Sequence, residues 1–300
     1  MDYLAPFSEW LAAGGKAPAA GRSEVTMSKR RRSQADNLRR IRDRLESAGY
    51  KVAKPMAAKF GDRAVQAAKS GGSAKEIARA AYPSKWMQRE IFRVMTPRLV
   101  AAAYAGFEAE ALWIGAADSE QAARRIETFS VDDIPPNLEV EPSDEVKAGI
   151  ARFVRTRRVG LWRNLTASYR GRLERAIIRS IEANDTLDER TDRIRRTLGS
   201  RKTTDAAARR IARTEHTGAM NAGQQVEREA EGVEEKEWIA THDMRTRTGR
   251  FDHLAADGQV VKVDAHFRVS GERLYYPGDV SAGASAGNVI NCRCASAAYL

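Results

Sequence analysis

The side chains able to do chemistry cluster in the last sixty or so residues, between Trp238 and Leu300. Three of the four histidines (His242, His253 and His266) and both cysteines (Cys292 and Cys294) lie there. Cys292-x-Cys294 offers two thiolates, and His253 can add a ring nitrogen. Asp243, His242 or His266 would complete the tetrahedral set of nitrogen and sulfur ligands that zinc prefers. Structural zinc usually takes a wider cysteine spacing than one intervening residue, so a second reading stands beside the first: two small thiols packed in a strand. A structural zinc would staple loop, turn and strand in a module poor in aliphatic residues. A disulfide between the two is disfavoured, because its geometry needs converging Cβ vectors.

His253 admits two other roles. As a general base it would sit in Asp252-His253, with Asn291 far downstream, in a faint likeness to metal-dependent HNH nucleases. As a structural residue it would anchor the Asp257-Gly258 turn, a turn signal flanked by strand-like residues. Glu215 is the third residue of interest. It falls on the apolar stripe Ala212, Glu215, Ala219, Ala222, Val226, where a carboxylate is costly unless paired, and Arg245 or Arg247 would be its partner.

The elements that must position these residues are mostly helical. Leu38, Ile41, Leu45 and Ala48 predict a helix over Asp36–Ala48 that Gly49 stops, and Ala53 to Ala68 a second, ended by Gly71-Gly72. Ser73 with Glu76 is a capping box that starts a third helix, and Pro83 breaks it. Ser84 caps the next, and Pro97 suits the first turn of a longer helix over Arg98–Ala117. The small residues Ala101, Ala102, Ala103, Ala105 and Gly106 of that helix permit a close helix approach. Pro135-Pro136 marks a linker. Ser143 caps a long basic helix, Thr186 with Glu189 is another capping box, and Thr203 to Glu231 is a clean helix that Gly232 stops. After it the pattern shortens to strands at Glu237–Thr241 and Val260–Val263. A hairpin of Phe267–Val269 with Arg273–Tyr276 follows, then a turn at Pro277-Gly278-Asp279, a flexible loop over Ser281–Gly287 and a last strand at Val289–Cys294. The expected fold is a mainly α N-terminal region followed by a small α+β C-terminal domain. Its divisions are a flexible basic arm (1–35), a helical region (36–130), a linker (131–142), a basic helical region (143–202) and the C-terminal domain (203–300).

The net charge of +11 is unevenly placed. Residues 201–300 are balanced, and residues 1–200 carry 37 basic against 26 acidic side chains. Between Lys147 and Arg179 ten basic residues face a single acid, Glu174. Arg152, Arg155, Arg157, Arg158, Arg163, Arg170 and Arg172 are therefore candidates for non-specific contact with a DNA backbone, with a solvated helix face as the alternative. Phe153, Trp162 and Tyr169 interleave with them, but at helical spacing Phe153 and Trp162 read as core. Phe7 and Trp10 could dock the arm. No apolar run approaches the roughly 20 residues a membrane span needs. A secretory signal is not expected either. The thiols fit a reducing compartment or a metal site.

Taken in order, several of these residues resemble one family. They are Arg213-Thr214-Glu215 with Asn221 and Gly223 on a helix, then Trp238, Asp243, Arg245, His253, Asp257-Gly258-Gln259, Pro277-Gly278-Asp279 and Asn291-Cys292-Arg293-Cys294. The set is similar to the C-terminal domain of the phage head morphogenesis family, the Mu F-like minor head proteins, over about the last hundred residues. The resemblance implies a non-enzymatic minor capsid protein of a tailed phage or prophage, made in the host cytoplasm and packaged into the procapsid in few copies. It further implies contacts with the phage portal protein, with capsid or scaffold protein and with DNA, and no membrane role. A metal-dependent nuclease or toxin-like effector delivered with the genome is the alternative. No cofactor is expected other than the structural zinc of the first of the two cysteine readings.

Overall fold

Among the described residues, five helices and one late, nearly central helix make up the part of the chain before the strands. The computed structural model describes residues 29–115, 138, 140–244 and 246–300. Residues 1–28 of the expected arm, with Phe7 and Trp10, the Pro135-Pro136 linker, the end of the helix at Ala117 and Arg245 lie outside them. The helices are α1 (Lys29–Ala67), α2 (Ala74–Ala81), α3 (Ser84–Gly115), α4 (Asp144–Glu182), α5 (Leu187–Ile194, continued by a wider turn over Arg195–Gly199) and α6 (Arg201–Ala230). No described helix is long and apolar enough to cross a membrane.

Three of the four expected caps fall where side-chain chemistry places them, whereas Ser84 is itself the first residue of α3 and Pro83 takes the cap position. Ser73 with Glu76 and Thr186 with Glu189 form reciprocal capping boxes, and Ser143 accepts from the Val146 N–H. Two expected breaks are absent. The run Lys29–Arg32 opens α1 instead of lying in an arm, and α1 passes straight through Gly49. Gly49 sits where α1 meets α6: a Cβ there would come within 2.1 Å of the His216 ring. The glycine admits the imidazole and does not stop the helix. Likewise α3 runs through Pro97. The lost backbone bond costs about 3 kcal/mol, and burial of Ile91, Met95 and Leu99 on either side offsets it.

The crossing of α3 with α6 is closer still. A Cβ at Gly106 would lie 1.9 Å from the Met220 carbonyl oxygen, and one at Gly223 would lie 1.8 Å from the Ala103 oxygen. The small-residue stretch of α3 thus meets α6 backbone to backbone. One apolar core joins α2, α5 and the facing halves of α1, α3, α4 and α6 around Phe60, Tyr82 and Tyr169. A second joins the other halves and reaches the sheet at Ile239, Ala295 and Ala297.

The C-terminal module is small and strand-poor. β1 (Glu235–Ile239) pairs antiparallel with β2 (Val260–Lys262) and with β5 (Ala295–Ala298), in register Glu235 to Lys262 and Trp238 to Ser296. β3 (Phe267–Val269) and β4 (Glu272–Leu274) form the expected hairpin, with Ser270 and Gly271 both at positive φ in a two-residue turn. The strand expected over Val289–Cys294 is replaced by a short helix, α7 (Ala286–Val289), and a turn at Asn291, where φ is 59°. The C-terminal strand forms only after the cysteines. A third core gathers Trp238, Phe267, Val269, Leu274 and the two cysteines.

His216 gives this fold an acid sensitivity. Its Nδ1–H donates to the Ala212 carbonyl at 2.8 Å, and its Nε2 has no partner among the described residues. A second ring proton would be buried without an acceptor, and burial pushes the imidazole down to about 4. The unfolded chain takes up that proton near the ordinary value of 6.5. The contribution of His216 is therefore present above pH 6.5 and lost as the pH falls toward 4, up to about 3 kcal/mol. Glu227 acts in the opposite direction over much of the same range. Burial raises it to about 7, so its contribution is present below 4.5 and is lost as the pH rises through 7. The difference between parent and His216→Gln isolates the histidine: urea melts at pH 7 and 4.5 are expected to show a smaller acid loss in the variant. Equal losses in the two would refute the assignment.

Candidate functional site

Three of the sequence-picked residues converge. His253 follows the 3₁₀ turn Gly249–Phe251, and Cys292 and Cys294 stand between α7 and β5. All three side chains are at most 2% exposed. Cys292 Sγ lies 3.5 Å and Cys294 Sγ 3.6 Å from the same atom, His253 Nδ1. The other ring nitrogen, Nε2, lies 3.2 Å from Asn288 Oδ1. Trp238 closes one side, its ring edge-on to His253 at 5.8 Å and to Phe267 at 5.3 Å.

The electrostatics of the pair are asymmetric. The Cys294 thiol contact, helped by His253, holds the Cys292 thiol well below its usual range. The same contact, with burial, pushes Cys294 well above it. Arg247 is nearby. Burial lowers its guanidinium, the two cysteines oppose that shift, and its Nη1 donates to the Gly287 carbonyl.

The other candidate ligands are elsewhere. Asp243 turns to Arg293 Nη1 and to the Thr246 hydroxyl. His242 Nε2 meets Asp257 Oδ2 at 2.7 Å, and His266 stacks on Tyr275. Asp243 is thus not part of the cluster. The Asp257 turn is anchored by His242 and not by His253. Asp257 Oδ1 also accepts from the Ala240 N–H at 2.8 Å and from Arg31 at 3.0 Å, and the Gly258 N–H, at φ 75°, donates to the Trp238 carbonyl. Arg31, read as arm, also lies 2.6 Å from Glu237.

Glu215 has a partner that sequence reasoning missed. Arg157 of α4 reaches it with Nε at 2.8 Å and Nη2 at 3.4 Å, and Arg157 Nη1 donates to the Gly278 carbonyl at 3.2 Å. Arg247 does not take that role, because it is committed to Gly287. The other expected partner, Arg245, lies outside the described residues. A cavity of about 390 Å³ opens beside the pair, lined by Phe153, Leu161, Ile211, Tyr276 and Val289 among others.

The remaining motif residues tie α6 to its surroundings. Arg213 makes a two-pronged contact with Glu46 of α1 at 2.5 and 3.0 Å. Thr214 Oγ1 accepts from the Asn291 N–H at 3.0 Å. Asn221 donates to the Cys294 carbonyl at 3.2 Å and accepts from the Ser296 N–H at 2.9 Å. These side chains therefore hold the cysteine turn and β5 on α6. Residues 169–297 match the family Phage Mu protein F like protein. No curated protein and no solved structure matches the chain. The Mu F-like stretch begins in the second half of α4, upstream of the expected boundary at residue 203. It takes in α5, α6 and nearly all of the C-terminal module, and its similarity to that family suggests a phage head-morphogenesis protein.

Most of the α4 arginines lie upstream of the Mu F-like stretch, and they divide by burial. Arg152, Arg155 and Arg163 are exposed. Arg157 is buried on Glu215, and Arg158 lies over the Phe92 ring at 4.8 Å. Arg170 donates to the Tyr82 carbonyl and to Ser84, and Arg172 to the Thr197 carbonyl. Much of the basic run is thus engaged in holding helices together. Phe153 and Trp162 pack at the edges of the cores, and Tyr169 is buried against Phe60 and Tyr82.

Proposed function

We propose that this chain is a minor head protein of a tailed phage or prophage, carried inside the procapsid and acting structurally in head morphogenesis. The observation that carries this reading is the Mu F-like match over residues 169–297. The burial pattern is consistent with a structural role. Residues of the motif set such as Arg213, Thr214, Glu215, Asn221 and Asp257 are spent on bonds within the protein. His253, the candidate base of the nuclease alternative, is 1% exposed, with one nitrogen on Asn288 and the other facing two thiols. A base that must meet a nucleic-acid phosphodiester needs access that this side chain lacks.

Within this reading the chain contacts the portal through its folded body and DNA through the outer face of α4. Support for the DNA contact is the excess positive charge upstream of residue 201 and the exposure of Arg152, Arg155 and Arg163. The decisive experiment is detection of the chain in purified particles and its loss from particles that lack portal. Its absence from purified particles would end the proposal. The DNA contact is read separately, with the full chain and duplex of mixed sequence. Replacing Arg152, Arg155 and Arg163 together by Gln is expected to weaken binding. The log–log salt slope should also flatten, by about 0.9 for each phosphate that is no longer neutralised. An unchanged slope would remove α4 from the DNA interface.

A further inference from the structure

The convergence of His253, Cys292 and Cys294 asks for a common partner. The starting point is Asn288, which is fully buried. Its Nδ2 donates to Glu272 Oε2 at 2.7 Å and to the Val269 carbonyl at 3.3 Å. Both of those atoms are acceptors, so the amide orientation is fixed and Oδ1 must be the atom facing His253. Oδ1 can only accept, so His253 Nε2 carries the proton. In the neutral ring Nδ1 is then a bare lone pair.

That one lone pair faces two sulfurs, at 3.5 and 3.6 Å. A single S–H can satisfy it, and the second sulfur then has no bond to the ring it faces and keeps only its contacts with the other thiol and its surroundings. A cation between the three atoms satisfies all of them. The distances are those a tetrahedral ion imposes. With zinc–sulfur bonds of about 2.3 Å and zinc–nitrogen bonds of about 2.0–2.1 Å at tetrahedral angles, nitrogen and sulfur stand about 3.5–3.6 Å apart. The ligand atoms of all three residues lie within 4.8 Å of one another. The chain from His253 through Asn288 to Glu272 is also the outer-shell arrangement that metal-bound imidazoles use to fix tautomer and ring angle.

We propose that His253 Nδ1, Cys292 Sγ and Cys294 Sγ hold one zinc ion, with water in the fourth position. Among the described residues no fourth His, Cys, Asp or Glu joins this group. Thiolate and imidazole donors select zinc over the harder magnesium and calcium. Burial of all three ligands suits a staple. The ion ties the segment after the 3₁₀ turn to the cysteine turn that leads into β5, across a third core of only eight buried residues.

The test uses the full chain, purified without chelator. Elemental analysis is expected to find close to one zinc per chain. Chelation is expected to remove it and lower the melting temperature, and added zinc to restore both. Cobalt(II) added to the stripped protein should give a thiolate-to-metal charge-transfer band and tetrahedral visible bands, both abolished in Cys294→Ser. Asn288→Ala, which keeps the three ligands, should weaken zinc binding by about 10–100-fold. If the cysteine variant does not fold, stripping and refilling the parent chain still decides. Protein that holds neither ion and melts at one temperature with or without chelator overturns the site. So does zinc that persists in Cys292→Ser and Cys294→Ser.

Discussion

Glu110→Ala is expected to lower the stability of the folded chain by about 3–5 kcal/mol, the cost of breaking a buried ion pair by removing one partner. Glu110 of α3 and Arg228 of α6 are the most deeply buried pair described, with side chains 1% and 0% exposed. Arg228 Nη1 donates to Glu110 Oε1 at 3.2 Å, and its Nη2 donates to Gln225 at 3.2 Å and to the Ser296 hydroxyl at 3.0 Å. Glu110 also accepts from the Ala298 N–H at 2.6 Å and from Gln224 at 2.9 Å. One carboxylate therefore joins α3, α6 and the last strand. Burial raises its carboxyl, against the pull of Arg228 and the other donors. Its removal leaves the Arg228 charge unpaired in the interior, bonded only to the neutral Gln225 and Ser296, and takes the acceptor from the Gln224 amide and the Ala298 N–H. The guanidinium already has a cationic neighbour: burial and Arg228 together bring Lys236 down to about 7. Glu110→Gln keeps an acceptor and is expected to cost less than the alanine change. Urea or thermal unfolding measures both. A Glu110→Ala chain within about 1 kcal/mol of the parent, the range of ordinary substitutions, would mean that the network is not formed as described.

Glu215→Ala is expected to cost nearly as much, again about 3–5 kcal/mol. Glu215 and Arg157 are each 8% exposed, so some of the broken pairing can be recovered by water. What sets this pair apart is the third contact. Arg157 carries the Gly278 carbonyl as well as the carboxylate, and Gly278, at φ 87°, packs so closely on Gly218 that a Cβ would come within 2.9 Å of its Cα. The pair therefore positions the Pro277-Gly278-Asp279 turn on α6. The truncated chain is expected to show earlier proteolysis at the 276–290 segment as well as a lower melting temperature. Removing both charges, as Arg157→Met with Glu215→Leu, should recover most of the stability, because an apolar pair of similar volume leaves no charge unpaired. A Glu215→Ala chain with parental stability would show that the carboxylate is not held in this pair.

The local elements of this protein were legible because their causes are local. Ser73, Ser143 and Thr186 cap helices through hydrogen bonds that span three residues. The Ser270-Gly271 turn needs only its own backbone freedom. The ordered motif set likewise pointed to the Mu F-like region, since it is a property of the chain read end to end. The expected stripe of α6 correctly marked Glu215 as a buried acid in need of a partner. The partner itself was not legible. Arg157 is 58 residues away. It is indistinguishable by type from its exposed neighbours Arg155 and Arg163, and only the crossing of α4 with α6 selects it. The same is true of Gly49 and Pro97. Each reads as a helix boundary by propensity, Gly49 as a stop and Pro97 as a start, since either in a helix interior costs about 1 kcal/mol for glycine and about 3 kcal/mol for proline. Burial of the surrounding face outweighs both, and that burial exists only once α1 and α3 lie on α6.

The candidate metal centre divides in the same way. Sequence alone determined that two thiols and an imidazole were available and that Cys292 and Cys294 were too near one another to bridge easily. It placed them in a strand and offered Asp243 as a ligand, because alternation and nearness along the chain are all it contains. Tertiary structure decided which groups meet. Asp243 goes to Arg293, and a turn at Asn291 aims both sulfurs at His253. Asn288, one more polar residue beside a small-residue stretch, fixes the proton on the far nitrogen. The physical reason is that a ligand set is an arrangement of lone pairs in space. The chain specifies the donors one at a time, but their directions come from packing between segments 35 to 41 residues apart.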